Sequence, residues 1–306
     1  MIPLCAPENA KLPTALALGS FDGLHLGHKK VIKTILKESI GVPTVVSFWP
    51  HPREVLFGES RLRLDLPNEK TFLLEPLGIE QLVLVPFNKN LASKSAETFV
   101  EEVLVKTLHA KHIAVGENFR FGRNREGDTS TLKKIGASLG IKISIVPIVE
   151  DKNGRLSSSR IRKALTDGDL KHAKYLLQRP YTFRGTVEKG RGLGKRIGWP
   201  TANLKIDGRK FLPSLGVYAS WASIANQKER FLAVMNMGPQ PTIDPNSLSA
   251  VEVHLLDKEI NLLGHELIIE PVQRIRLQKK FENIEALSEQ INLDAILAKE
   301  ILTKLL

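Results

Sequence analysis

Near Pro180 the hydrophobic pattern of this 306-residue chain changes character, and that change limits the folds open to it. Before it, short apolar runs alternate with helix-spaced segments. "TALALGSF", "VPTVVSF", "EQLVLVPF", "AKHIAVGENF" and "IKISIVPIV" read as buried strands. "HKKVIKTILKES" sets Val31, Ile32, Ile35 and Leu36 at helical spacing. "SAETFVEEVLVKTLHA" does the same with Phe99, Val103 and Leu104 behind a Ser95 N-cap. "SSSRIRKALTDGDLKHAKYLLQRPY" closes the stretch as helix. This alternation predicts a parallel sheet with helices on both faces. After Pro180, "YTFRGTVEKG", "GVYASWASI", "RFLAVMNMG", "AVEVHLLD" and "HELIIEPVQRIRL" follow one another with turn-rich connections and no helix between them. Closely spaced strands of this kind predict an antiparallel barrel or sandwich. From Ile284, Leu287, Ile291, Leu297, Ile301 and Leu305 recur at roughly helical spacing behind an Asn283 N-cap. The expectation is α/β plus β with a terminal helix, in two domains, 1–180 and 181–306.

Composition narrows the class. The chain is 42% hydrophobic and 25% charged, ordinary for a globular protein. It has no apolar run long enough to cross a membrane as a helix, and its N-terminus does not read as a signal peptide. The single cysteine, Cys5, excludes an internal disulfide framework and suits a cytoplasmic location. The net charge of +11 suits either nucleic acid or small polyphosphates. No RNP-like or zinc-finger pattern supports the first. The oligomeric state is not set by the sequence.

The stretch "GSFDGLHLGHKK" (19–30) places glycines, Asp22, His25 and His28 between the end of a strand and the start of a helix. Backbone N–H groups of such a turn, with the helix dipole, form an anion site. His25 and His28, three residues apart, lie on one side of the first turn and can donate hydrogen bonds to phosphate oxygens. Gly27 leaves the space between them clear. There is no GxxxxGK[ST] P-loop. The stretch resembles the HxGH signature of the nucleotidyltransferase superfamily, in the longer form carried by bacterial FAD synthetases. The resemblance implies a Rossmann-like domain in which His25 and His28 stabilise triphosphate charge as AMP is transferred. It also implies nucleotide contacts from Gly19, Ser20, Phe21 and Asp22, with Ser20 standing where the family usually has Asn.

Three more segments fit the same family. "LSSSRIR" (156–162) resembles its I-S-S-T-x-x-R and implies phosphate contacts from Ser158, Ser159 and Arg162. "VGENFRFGRNREGD" resembles its G-x-x-F-x-F-G loop. There Asn118 is polar, and Phe119 and Phe121 could line a flat ring system. "FWPHPREVLF" resembles its F-x-P-H-P segment, in which His51 is expected to be structural.

The second half carries its own signature. In "GTVEKGRGLGKRIGWPTANL", glycines including Gly190 and Gly194 give a backbone of close approach, with positive charge from Arg191, Lys195 and Arg196. Thr201 and Asn203, two apart on an extended segment, share one face and offer hard oxygen ligands suited to Mg²⁺. In "VEVHLLD", Glu252 shares a face with His254 and could position or deprotonate a hydroxyl. The PTAN stretch resembles the riboflavin kinase signature, with Lys195 in place of the usual Arg. "MNMGPQPT", "LPSLGVYAS" and "RIRLQKKF" resemble further segments of that family. By this resemblance Thr201 and Asn203 hold Mg²⁺ and the ATP phosphates, Glu252 is catalytic, and Gly190, Gly194, Lys195, Asn236 and Arg276 border the substrates.

Nearly the whole chain is covered, in family order. The resemblance implies a bifunctional FAD-forming enzyme. It would phosphorylate riboflavin to FMN with Mg²⁺–ATP, then adenylylate FMN to FAD with release of pyrophosphate. Its partners would be riboflavin, FMN, FAD and ATP, with no nucleic acid and no membrane. The alternatives are a riboflavin kinase with a silent first module, suggested by Ser20, and a basic nucleic-acid- or flavin-binding protein.

Overall fold

The computed structural model describes residues 1–37, 40–190, 198–238 and 251–306. It contains two compact units, Met1–Ser158 and Ser159–Leu306.

In the first unit, β1 (Leu4–Cys5), β2 (Thr14–Leu18), β3 (Val42–Trp49), β4 (Gln81–Pro86), β5 (Ala110–Gly116) and β6 (Lys142–Val146) form one parallel sheet in the order β1-β4-β3-β2-β5-β6. The helices are α1 (Leu26–Ile35), α2 (Pro52–Phe57), α3 (Pro67–Leu74), α4 (Lys89–Ser93), α5 (Ala96–Phe99, continued as a π-helix over Val100–Thr107) and α6 (Thr129–Ser138). Every residue of β2 is buried, as a central parallel strand requires. Its alternate side chains supply both faces. Leu16 and Leu18 join Val100, Leu104 and Leu108 on one side, while Ala15 and Ala17 join Val31, Ile32 and Ile35 on the other. Ser95 caps α5 as expected, accepting from the Thr98 N–H. The chain leaves β2 first toward β3 and β4, then returns to β5 on its other side. The strand order therefore reverses between β2 and β5, and ligands of open α/β sheets bind beyond the strand ends at such a point. A short hairpin, β7 (Glu150–Asp151) and β8 (Gly154–Arg155), follows β6 and turns on Gly154 at φ 95°.

In the second unit, β9 (Phe183–Glu188), β10 (Ala202–Lys205), β11 (Gly216–Ile224), β12 (Phe231–Met237), β13 (Val251–Leu255) and β14 (Glu266–Arg276) close an antiparallel barrel in the order β10-β13-β12-β11-β14-β9. The period-2 pattern sorts the side chains: Phe231, Ala233, Met235 and Met237 of β12 are buried, and the residues between them are half-buried on the outer face. Helices α7 (Ser158–Asp167) and α8 (Leu170–Leu177) precede the barrel, and α9 (Ile284–Thr303) follows it. Asn283 caps α9 as expected, and Ala295, Ala298 and Leu302 pack on Ala219, Trp221 and Leu256.

The barrel with its terminal helix, rather than a sandwich, is what forms. The two compact units divide after Ser158, and the helical stretch packs with the barrel. The Ser214 N–H donates to Leu165 O at 3.1 Å, and Arg274 Nη2 to Asp167 O at 3.0 Å. Gly168 sits so close to Arg274 that a Cβ there would lie 2.5 Å from the guanidinium. Pro180 marks where the helices stop, not where the packing changes.

Candidate active sites

The turn after β2 is held in a strained shape. Phe21 and Leu24 have φ of 46° and 44°, a left-handed backbone that non-glycine residues rarely adopt, and both side chains are buried. Hydrogen bonds hold it there. The Asp22 carboxylate accepts from the Leu64 and Asp65 N–H groups at 2.9 and 3.4 Å. The Gly23 N–H donates to Asp65 Oδ2 at 3.0 Å. Lys70 Nζ donates to the Ser20 carbonyl at 2.8 Å, and Ser158 Oγ to the Asp22 carbonyl at 2.7 Å. Asp22 and Ser158, expected at the nucleotide, therefore spend these polar atoms on the turn itself. Phe21 packs edge-on to His28, 5.3 Å between ring centres.

His25 is the N-cap of α1, and His28 follows one turn later. Their rings stack at 3.7 Å and 19°. A Cβ at Gly27 would lie 3.1 Å from the His25 ring, so the space that glycine leaves is taken by that ring. Burial, then the nearby Arg155 charge, lowers the His25 pKa to about 4 against a partial counter-effect of Asp22. Burial also holds the His28 pKa well below its ordinary value, with His25, Lys70 and Arg155 acting in the same direction. Both rings are neutral at neutral pH, and both Nδ1 atoms are buried without a hydrogen-bond partner. The two residues line a cavity of about 240 Å³ at the switch point. It is lined by Gly19, Ser20, Phe21, His25 and His28 from the turn, Asn118 and Phe119 beyond β5, and Val149, Arg155 and Leu156 beyond β6. The Asn118 carboxamide oxygen, oriented to satisfy both partners, accepts from Arg155 Nη2 and Nη1 at 2.8 and 3.0 Å. Phe119 stacks on Phe121, which is core. His51 is structural as expected: its Nδ1 caps α2 by accepting from the Arg53 N–H at 3.1 Å. Ser159 and Arg162 lie on α7 in the second unit, with the Arg162 guanidinium 5.8 Å from the Phe211 ring centre.

On the barrel, strand register assembles what the sequence left scattered. Asn203 sits opposite Glu188 of β9 and Glu252 of β13, and Glu252 opposite Asn236 of β12. Directly opposed residues share a face. Glu188, Asn203, Glu252 and Asn236 thus form one half-buried row on the outer surface. Gly190 abuts it, because a Cβ there would lie 2.0 Å from Asn203 Nδ2. His254 Nδ1 donates to the Pro200 carbonyl at 2.7 Å, with its ring edge-on to Trp199. That contact anchors the residue before Thr201. Gln278 Nε2 donates to Asn236 Oδ1 and the Met237 carbonyl, both at 2.7 Å. Arg276 points elsewhere: its guanidinium makes bonds of 2.8–3.0 Å to the Asp294 carboxylate of α9 and stacks near Phe281. Gly194 and Lys195 lie outside the described residues.

Among the described residues no group of three His, Cys, Asp or Glu side chains could hold a metal. The donor set fits Mg²⁺ in another way. The Thr201 hydroxyl, the Asn203 amide oxygen and Glu252 across the ladder are hard oxygens, too few to cage an ion alone but suited to one that keeps waters and substrate phosphates. Lys70, Asp65, Arg155 and Gln278 escaped the sequence reading. Only Arg155 had a signal, the Asn153–Gly154 turn that builds its hairpin.

Fold and sites together define a chain of two transferase modules: a nucleotide-binding α/β unit with a paired-histidine cavity, then a barrel with an oxygen-rich row. Residues 8–160 match the family described as FAD synthetase and residues 177–302 that described as riboflavin kinase. The chain is 35% identical to the bifunctional riboflavin kinase/FMN adenylyltransferase of Haemophilus influenzae over 93% of each chain. It is also 35% identical to that of Escherichia coli, over 93% of this chain and 91% of the other. A solved structure described as a macrolide-efflux protein from Streptococcus pneumoniae superimposes with a TM-score of 0.82 at 29% identity, covering 97% and 98% of the two chains. Among the described residues of the present chain no helix is long and apolar enough to cross a membrane. The chain belongs to the bifunctional riboflavin kinase/FMN adenylyltransferase family and carries both of its domains.

Proposed function

We propose that this chain makes FMN from riboflavin on the barrel and FAD from FMN in the His25–His28 cavity, with ATP as the second substrate of each step. The observation that carries the reading is the pair of neutral, stacked histidines that line a cavity at the sheet's switch point.

In AMP transfer an FMN phosphate oxygen attacks the α-phosphorus of ATP. The bond from that phosphorus to the bridging oxygen breaks, and the electron pair leaves on pyrophosphate. The nucleophile is already an anion, so no general base is needed. The work is positioning and charge stabilisation. Neutral His25 and His28 donate hydrogen bonds to phosphate oxygens. Arg155, held by Asn118, adds a fixed positive charge, and Gly19 and Ser20 border the nucleotide. Ser159 and Arg162 keep their assignment to the phosphates by resemblance. The Ser20 side chain is exposed, and its carbonyl is what the turn uses, accepting from Lys70 and from Ser47 Oγ at 3.2 Å. That supports a working first module despite the departure from Asn.

In phosphoryl transfer the 5′-hydroxyl of the ribityl chain attacks the γ-phosphorus, and ADP leaves. Glu252 orients that hydroxyl and accepts its proton. Asn203 and Thr201 would hold Mg²⁺, which when bound neutralises phosphate charge. Asn236, fixed by Gln278, and Gly190 border the same row, as do Gly194 and Lys195 by resemblance. The basic surface serves polyphosphate substrates, not nucleic acid, and the compartment is cytoplasmic.

Purified protein given riboflavin, ATP and Mg²⁺ should yield FMN and then FAD on chromatography. FMN alone would leave the kinase without the adenylyltransferase, and neither product from folded protein would overturn both assignments.

A further inference from the structure

Lys70 has no part in the chemistry described so far, yet its side chain is 6% exposed in the first unit. A buried ammonium is costly unless paired, so its surroundings call for a reason. Nζ donates to the Ser20 carbonyl at 2.8 Å, and Ser47 Oγ supports the same oxygen. Asp22, Asp65 and Glu69 surround it with negative charge, and Arg63 with positive. Burial lowers the Lys70 pKa and is only partly opposed by Asp22, Asp65 and Glu69.

Two consequences reach the cavity. The Ser20–Phe21 peptide is trans, so its N–H points opposite to its C=O. Drawing the carbonyl to Lys70 therefore aims the Phe21 N–H away from Lys70. No group among the described residues accepts that N–H, and Ser20 and Phe21 both line the cavity. The bond also holds the entry to Phe21, whose φ of 46° would relax if released. The second consequence is electrostatic. A cation that disfavours imidazolium at His28 also stabilises negative charge building on an oxygen bonded to that ring.

We propose that Lys70 is a positioning residue for AMP transfer: its amine, donating to the Ser20 carbonyl, fixes the Ser20–Phe21 peptide as a phosphate-facing donor and sets a basic group beside His28. This rests on the assignment of AMP transfer to the His25–His28 cavity. The groups acting on His28 are His25 of the turn, Lys70 of α3 and Arg155 of the β7–β8 hairpin, and burial depresses its pKa more than any of them.

The test uses the full chain with Lys70→Met and, alongside it, His28→Ala. For Lys70→Met the expected result is a roughly 10- to 100-fold loss of kcat for FAD formation from a misplaced site. The KM for FMN should stay within about threefold, and riboflavin phosphorylation should be unchanged, because the loss falls on the transition state rather than on binding. In NMR titration the His28 ring should take up its proton at a higher pH than in the wild type. A kcat near that of the wild type overturns the proposal, and so does a kcat loss with the His28 titration unmoved, the mark of a merely structural lysine. If Lys70→Met fails to fold, Lys70→Met/Asp65→Asn removes the uncompensated carboxylate while keeping an acceptor for the Gly23 N–H, and the same outcomes decide. An inactive His28→Ala beside an active Lys70→Met removes the Lys70 role alone. An active His28→Ala removes the cavity assignment and the proposal with it.

Discussion

Acidification should weaken the first unit in a way that can be traced to His25. Its pKa falls from 6.5 to about 4 on folding, through burial and the Arg155 charge. Above pH 6.5 the ring is neutral in both states and nothing is lost. Between 6.5 and 4 the unfolded chain takes up a proton that the folded chain refuses, so stability falls as pH falls. The linked loss is about 2 kcal/mol by pH 5 and about 3 kcal/mol by pH 4, where it levels off. His28 adds a loss in the same direction. The substitution His25→Gln removes the titration while keeping a polar side chain. The assay is urea unfolding of the full chain at pH 7, 6, 5 and 4, read by hydrogen exchange on β2 so that only the first unit is reported. Wild type should lose about 3 kcal/mol more than His25→Gln between pH 7 and pH 4. Parallel curves for the two proteins would refute the buried, neutral histidine.

Other expectations follow from single contacts. Gly190→Ala drives a Cβ into the Asn203 amide, 2.0 Å away, and should abolish riboflavin phosphorylation while sparing FAD formation from supplied FMN. Asp294 is 3% exposed and its partner Arg276 20%; Asp294→Ala should cost about 2–4 kcal/mol in urea melts, the loss expected when a buried pair is broken. Ser220 is fully buried, with no partner for its hydroxyl among the described residues. It faces the barrel interior opposite Ala233, so Ser220→Ala should be neutral or stabilising by up to about 1 kcal/mol in the same melts.

Periodicity carried most of the fold. The all-buried "TALAL" strand, the Ser95 and Asn283 caps and the helix-free run of strands after 180 each formed as their local pattern dictates. The domain division was less legible, because what binds α7 and α8 to the barrel is Arg274, far along the chain, reaching the Asp167 carbonyl. The sites divide in the same way. His25 and His28 lie three residues apart in sequence, so their spacing reveals them. The row from Glu188 to Asn236 depends on barrel register, which no local pattern states. The Arg276 partner Asp294 arrives on another element, so that pairing could not be read from the motif. Lys70 was invisible because a lysine in a short helix reads as solvated until its burial is seen.

The central claim is that one chain holds two independent transferase sites. Its most direct test is product analysis of His28→Ala and Glu252→Gln, each given riboflavin, ATP and Mg²⁺ and, separately, FMN, ATP and Mg²⁺. His28→Ala should accumulate FMN and make no FAD from either flavin. Glu252→Gln should leave riboflavin untouched and still convert supplied FMN to FAD. A folded variant that lost both activities, or a His28→Ala that still formed FAD, would contradict the account.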